Sequence, residues 1–320
     1  MNTGWEEALE VQALLLKQTQ SPFWDEMVGR WLAQRRYHYG KHAMLPSAHA
    51  LEQAAGIIGQ AEPIFITREM EDLTRSAMQS FNPGEEVRPS DFFLRNGMAL
   101  LEKQYLAKDA AGFDTGWRAV TWRYVELPVE EVGVENSPSL EIILWWEVAE
   151  DDEWNMEHPE QVKAARQMYE SWGMRWAIMH ATLVPLSYMS DLRHMSQEGD
   201  PEATWLTFVR VFNRLMQERI VLKTRMRPHR AIRRAASRLG LEEVKDIVVC
   251  ELRRARPRGY EWPETEQEVH YSHRFLVQGH WRNQWYPSEG RHKQKWISPY
   301  IKGPEDKPFV DKQRVWVWDR

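Results

Sequence analysis

Three histidines, His273, His280 and His292, stand with Arg274, Arg282, Gln284 and Lys295 in one stretch near the C-terminus, "SHRFLVQGHWRNQWYPSEGRHKQK". Histidine moves protons near neutral pH, and arginine or lysine stabilises charge developing on a phosphoryl group. His280, Arg282, His273 and Lys295 therefore suffice in principle as the catalytic set of a metal-independent ribonuclease acting through the 2′-hydroxyl. The same side chains suit a phosphate-binding surface without catalysis, or a hydrogen-bonded seam between strands. All three readings stay open on the sequence. In a strand, alternate residues share a face. His280, Arg282 and Gln284 are thus expected to face a ligand, and Trp281 and Trp285 a core. Gly279 is a candidate bulge, a feature that re-aims side chains near functional sites.

Metal chemistry has weaker support. His270, His273 and His280 could supply ligands, but no carboxylate or cysteine stands at a zinc spacing. Neither a phosphate-cradling glycine loop, a dinucleotide fingerprint nor a nucleophile elbow occurs, so no cofactor is expected. The one cysteine, Cys250, sits in the apolar run "DIVVCELRR". It reads as a buried thiol and excludes an intramolecular disulfide.

Charge gives the second clue. The chain carries a formal net charge of −5, yet residues 223–258 hold twelve Lys or Arg against four Asp or Glu. From Tyr271 onward there are ten more basic residues against five acidic ones. Aromatic rings are interleaved with them. Cations that neutralise phosphate beside rings that stack on bases are what single-stranded RNA requires. Arg230, Arg233, Arg234, Arg274, Gln284, Trp285 and Trp296 are the expected RNA-binding residues. The plainer alternative is a solvated basic helix on a tryptophan-rich core, since the chain has 17 tryptophans.

These residues need elements to position them. "EEALEVQALLLKQ", "SPFWDEMVGRWLAQRRY", "SAHALEQAAGIIG", "REMEDLTRSAMQSF" and "SDFFLRNGMALLEKQYL" read as helices. "GWRAVTWRYVELP" and "SLEIILWWEVAE" read as a β pair near 117–148. "PEQVKAARQMYESWGMRWAIMHATLVPL" then returns to the helical period. In "GDPEATWLTFVRVFNRLMQERIVLK", Trp205, Phe208, Val209, Phe212 and Met216 make one apolar helix face, expected to be core. "RPHRAIRRAASRLG" is a basic helix, and short strands follow it. The expected fold is α+β: a mostly helical N-terminal and middle region with an embedded β pair, then a small C-terminal antiparallel β module. The expected division is 1–222 for recognising a partner and 223–320 for the basic helix and the module.

The tail also resembles something known. Gly279-His280-Trp281, a tryptophan four positions on at Trp285, then basic residues and Trp296 in a strand resemble the C-terminal module of uncharacterised proteins from bacteriophages and actinobacteria. More distantly, this pattern is similar to the tail of the second-described type V-A anti-CRISPR family. The resemblance is confined to the tail, and "RNQWYPS" and "KGPEDKP" depart from the family pattern. It implies a phage-borne or mobile-element protein that lowers production of a target by meeting RNA, a nascent chain or the ribosome. One expected function is therefore a regulator whose tail binds, and cleaves if the catalytic reading holds, RNA. The alternative is a non-enzymatic inhibitor that binds a specific target protein through a tryptophan-rich groove. A cytoplasmic location without membrane contact is expected, because no long apolar run or signal-like segment occurs.

Overall fold

The computed structural model describes residues 4–39, 44–82, 84–108, 114–126, 138–148, 159–189, 201–252, 274–277, 279–304 and 308. Strand-forming segments are spread along most of the chain. They are β1 (Glu62–Ile66), β2 (Asn96–Lys108), β3 (Asp114–Glu126), β4 (Pro138–Glu147), β5 (Trp176–Pro185), β6 (Val221–Met226) and β7 (Ile247–Leu252). They form one sheet in the order β5-β4-β3-β2-β1-β7-β6. β1 runs parallel to both β2 and β7, while the other pairings are antiparallel.

Successive residues on a strand point to opposite faces, and the two cores divide accordingly. Ile64, Ile66, Val248 and Cys250 join one core, and Phe65, Ile247 and Val249 join the other. The first core is covered by α5 (Arg68–Met78), α7 (Leu186–Met189) and α8 (Pro201–Leu215). The second is covered by α1 (Glu7–Thr19), α2 (Trp24–Tyr39), α3 (Met44–Glu52), α4 (Ala54–Gln60) and α9 (Arg230–Arg238). Tyr169, near the end of α6 (Pro159–Ser171), also packs on the second core. Trp205, Phe208, Val209 and Phe212 of α8 are buried together, as their spacing requires.

This sheet overturns the expected mostly helical middle with a single embedded β pair. Helix-forming composition misled in three places. Met98, Ala99, Leu100 and Leu101 of β2 are good helix formers, yet each is fully buried between β1 and β3. Burial on both faces makes a strand read as a continuous apolar run. Gly97 permits this packing: a Cβ there would lie 2.3 Å from the Trp122 ring. Of the one or two helices expected across 159–186, only α6 forms among the described residues; Gly173, whose φ of 66° suits glycine, follows its end, and β5 comes next. The segment "VLKTRM", its first three residues expected to end the preceding helix, is instead the edge strand β6. β6 spans the 222/223 boundary, and β7 pairs with β1 from the N-terminal region.

Two smaller sheets complete the fold. β8 (Phe275–Val277) pairs with β11 (Tyr300–Lys302), and β9 (His280–Tyr286) pairs with β10 (Arg291–Ile297).

Candidate functional site

The β9–β10 hairpin carries the histidine motif. Its register sets Trp281 opposite Trp296, Asn283 opposite Gln294 and Trp285 opposite His292, so these six share one face. Trp281 meets Trp296 at 5.2 Å and Phe81 at 5.5 Å between ring centroids. Its indole N–H donates to the Ala77 carbonyl at 2.9 Å. Trp296 is 4% exposed and belongs to the first core, so its ring does not face solvent. A Cβ on Gly279 would lie 2.5 Å from the Trp296 ring. The glycine and tryptophan of Gly279-His280-Trp281 are thus set by packing. At the far end of this face the core is left behind: Trp285 is 49% exposed and packs at a tilt against exposed His292, ring centroids 5.0 Å apart. The sequence expectation that Trp285 faces a core is corrected: Trp281 packs against Phe81 and Trp296, whereas Trp285 has half its surface exposed.

The other face carries His280, Arg282, Gln284 and Tyr286 from β9, with Arg291, Lys293, Lys295 and Ile297 from β10. His280 and Arg282 are exposed and Lys295 is half-buried. His280 and His292 therefore stand on opposite faces. Arg282 lies directly across from Lys295, and its Nη2 donates to the Gln284 Oε1 at 2.6 Å. His273 lies outside the described residues, and Arg274 is half-buried, its backbone N–H donating to the Pro308 carbonyl at 2.8 Å.

Much of the hairpin's charge is spent on holding it in place. The Asp91 Oδ1 is 2.9 Å from both the Arg214 Nη1 and the Arg291 Nη2, and 3.6 Å from the Lys293 Nζ. Glu289 pairs with Arg291 at 3.0 Å and Lys293 at 2.8 Å. Glu85 takes the other Arg214 nitrogen at 2.6 Å and accepts from the Gln294 side chain at 2.9 Å. Nearby, Arg210 donates to the carbonyls of Met189 and Glu85 and lies over the Phe81 ring, and burial lowers its pKa to about 10.

α9 is built differently. Ile232 and Ala236 bury its inner side in the second core. Its start is fixed by the His229 N–H donating to the Glu6 Oε1 at 2.7 Å, and by the His229 Nδ1 accepting from Ala231 at 3.3 Å. Residues four apart lie one above another on a helix. Arg230, Arg234 and Arg238 therefore form one exposed row, with half-buried Arg233 beside it. Among the described residues, no carboxylate forms an ion pair with any of these four. Like charges at this spacing cost a helix a few tenths of a kcal/mol per pair, about 0.2–0.5.

The expected RNA-binding residues are therefore divided. α9 packs on one face of the seven-stranded sheet and the β9–β10 hairpin on the other. Glu218, in the turn after α8, was not singled out by the sequence. Burial raises its pKa, opposed by Lys295 and by the Trp296 backbone N–H. A lone carboxylate in a turn has no spacing signal that could have found it. Burial pushes the Cys250 thiol up to about 12, which removes it as a nucleophile. Among the described residues, no three His, Cys, Asp or Glu side chains gather into a metal-holding group, and no helix is long and apolar enough to cross a membrane.

No protein-family model matches the chain, and no curated protein matches it. Among solved structures, the chain is similar to the crystal structure of AcrVA2, an anti-CRISPR protein. Identity is 11% and the TM-score 0.42, over 91% of this chain and 98% of that chain.

Proposed function

We propose that this chain is a cytoplasmic phage or mobile-element regulator that binds RNA through its C-terminal segment, to suppress expression of a target. The observation that carries the reading is the exposed Arg230–Arg234–Arg238 row of α9, which has no carboxylate partner among the described residues. Eight residues of helix span about 12 Å, long enough for a row of cations to meet successive phosphates of one strand. α9 presents no aromatic ring, so its contacts would be to phosphate and independent of sequence. Exposed Trp285 and His292 lie across the sheet from α9 and would serve a different segment of RNA. Binding fits the geometry better than cleavage. The two described hairpin histidines stand on opposite faces and cannot form a general acid–base pair.

A fluorescently labelled single-stranded RNA titrated with the protein at low salt tests this. Saturable binding is expected; its absence at low ionic strength, where phosphate contacts are strongest, would overturn the reading.

One observation favours the protein-binding alternative. Phe23 is 37% exposed and stacks on Trp172 at 6.1 Å, with the Arg30 guanidinium over the same indole at 5.3 Å. Aromatic and arginine side chains are the usual anchors of protein interfaces. Recovery of one specific protein after nuclease treatment, lost on Phe23→Ala, would support that reading in place of RNA.

A further inference from the structure

We propose that Arg282 and Lys295 form a binding site for a single terminal phosphate group, a phosphate monoester, separate from α9. The two side chains stand directly across from one another on β9 and β10. Opposed like charges destabilise a strand pair, and directly opposite Cβ atoms are only about 5 Å apart. The other cations on this face are satisfied: Arg291 and Lys293 pair with Asp91 and Glu289. Arg282 is not. Among the described residues no carboxylate forms an ion pair with it, and its hydrogen bond goes to the neutral Gln284 amide. That bond uses Nη2 and holds the guanidinium plane, leaving Nε and Nη1 as donors on an exposed side chain.

A planar guanidinium matches two phosphate oxygens, and an ammonium beside it can take a third. Two cations carried by directly opposed residues suit one phosphate group, whereas the α9 row is long enough for several. A monoester carries about −1.5 to −2 charge at neutral pH, which two cations balance. Glu218 is the competing anion, because its carboxyl acts on Lys295 from the turn after α8. The site therefore has a built-in competitor whose removal should strengthen it. None of this depends on the RNA-binding role of α9.

The test is calorimetric titration of the full chain with inorganic phosphate, then with an oligoribonucleotide bearing either a 5′-phosphate or a 5′-hydroxyl. Arg282→Gln and Lys295→Gln should each weaken phosphate binding about tenfold or more. Glu218→Gln should tighten it, and the α9 triple variant Arg230→Gln/Arg234→Gln/Arg238→Gln should leave it unchanged. Tighter binding of the phosphorylated oligonucleotide assigns the site to an RNA end. Equal binding of the two, with inorganic phosphate still bound, assigns it to a small phosphate ester. Absence of phosphate binding, unchanged binding in Arg282→Gln, or loss in the α9 variant instead, overturns the proposal.

Discussion

Replacing Asp91 by Asn should release the β9–β10 hairpin from the body. Asp91 is 12% exposed, and it faces three cations that are buried slightly more deeply: Arg214 at 7%, Arg291 at 9% and Lys293 at 10%. In the intact cluster Glu85, Asp91 and Glu289 balance these three charges. Asparagine keeps the shape but leaves one buried cation uncompensated. Its amide can still accept from the Arg88 backbone N–H, now 3.0 Å from the Asp91 Oδ2, only by turning its own N–H groups toward the arginines. Removing one partner of a buried ion pair costs about 3–5 kcal/mol. Glu85 and Glu289 remain, so the lower end, about 3 kcal/mol, is expected. The assay is urea denaturation followed by hydrogen exchange. Exchange should accelerate first in residues 280–297, before the sheet strands lose protection. A double-mutant cycle with Arg291→Gln should show coupling, because the two groups share one hydrogen bond. A variant within about 0.5 kcal/mol of wild type, the range of an ordinary surface substitution, would refute the reasoning.

Two further perturbations follow from the packing. Gly279→Ala places a methyl group 2.5 Å from the Trp296 ring and 3.0 Å from Pro299; overpacking of this kind costs about 1–3 kcal/mol, read as a lower urea midpoint with altered tryptophan fluorescence. Glu71 is 4% exposed with its Oε2 unpartnered, and burial raises its pKa despite Arg75. The folded state therefore holds this proton more tightly than the unfolded state. Its stabilising effect is fully present below the unfolded pKa near 4.5 and is lost as pH rises through the higher folded value. Glu71→Gln should thus stabilise the protein at neutral pH, by about 1 kcal/mol, and flatten the pH dependence of its unfolding free energy over that window.

The helices whose apolar residues recur at helical spacing were legible in the sequence. α8 is the clearest, since its periodic face is its buried face. β2 and β5 were not, because Met, Ala, Leu, Glu and Lys carry a helical bias that only neighbouring strands can override. β1 is five residues long and lies between helices, too short for its period to register. At the candidate site, a strand and the basic helix could be read from residue type, but the split of "HRFLVQGHWRNQWYP" into β8 and β9, and the pairing of β9 with β10 in a hairpin, could not. Nor could the relation of helix to hairpin. Whether α9 and the hairpin share a face depends on which side of the sheet each packs, and no local pattern encodes that. Trp285 and Trp281 look alike along the strand, and they differ in what the fold brings against each: Phe81 and Trp296 for Trp281, exposed His292 for Trp285. Asp91 and Glu218 became visible only once the fold brought cations to them from distant segments.

In the proposed function the α9 arginines, which have no carboxylate partner among the described residues, carry the phosphate-backbone contacts in place of the hairpin motif. The most direct measurement is the slope of log affinity against log salt for single-stranded RNA, in wild type and in Arg230→Gln/Arg234→Gln/Arg238→Gln. Each phosphate contact to a single strand contributes about 0.7 to that slope. The triple variant should therefore bind more weakly with a slope shallower by about 2. An unchanged slope in this variant, or the same loss produced by Arg282→Gln alone, would contradict the account.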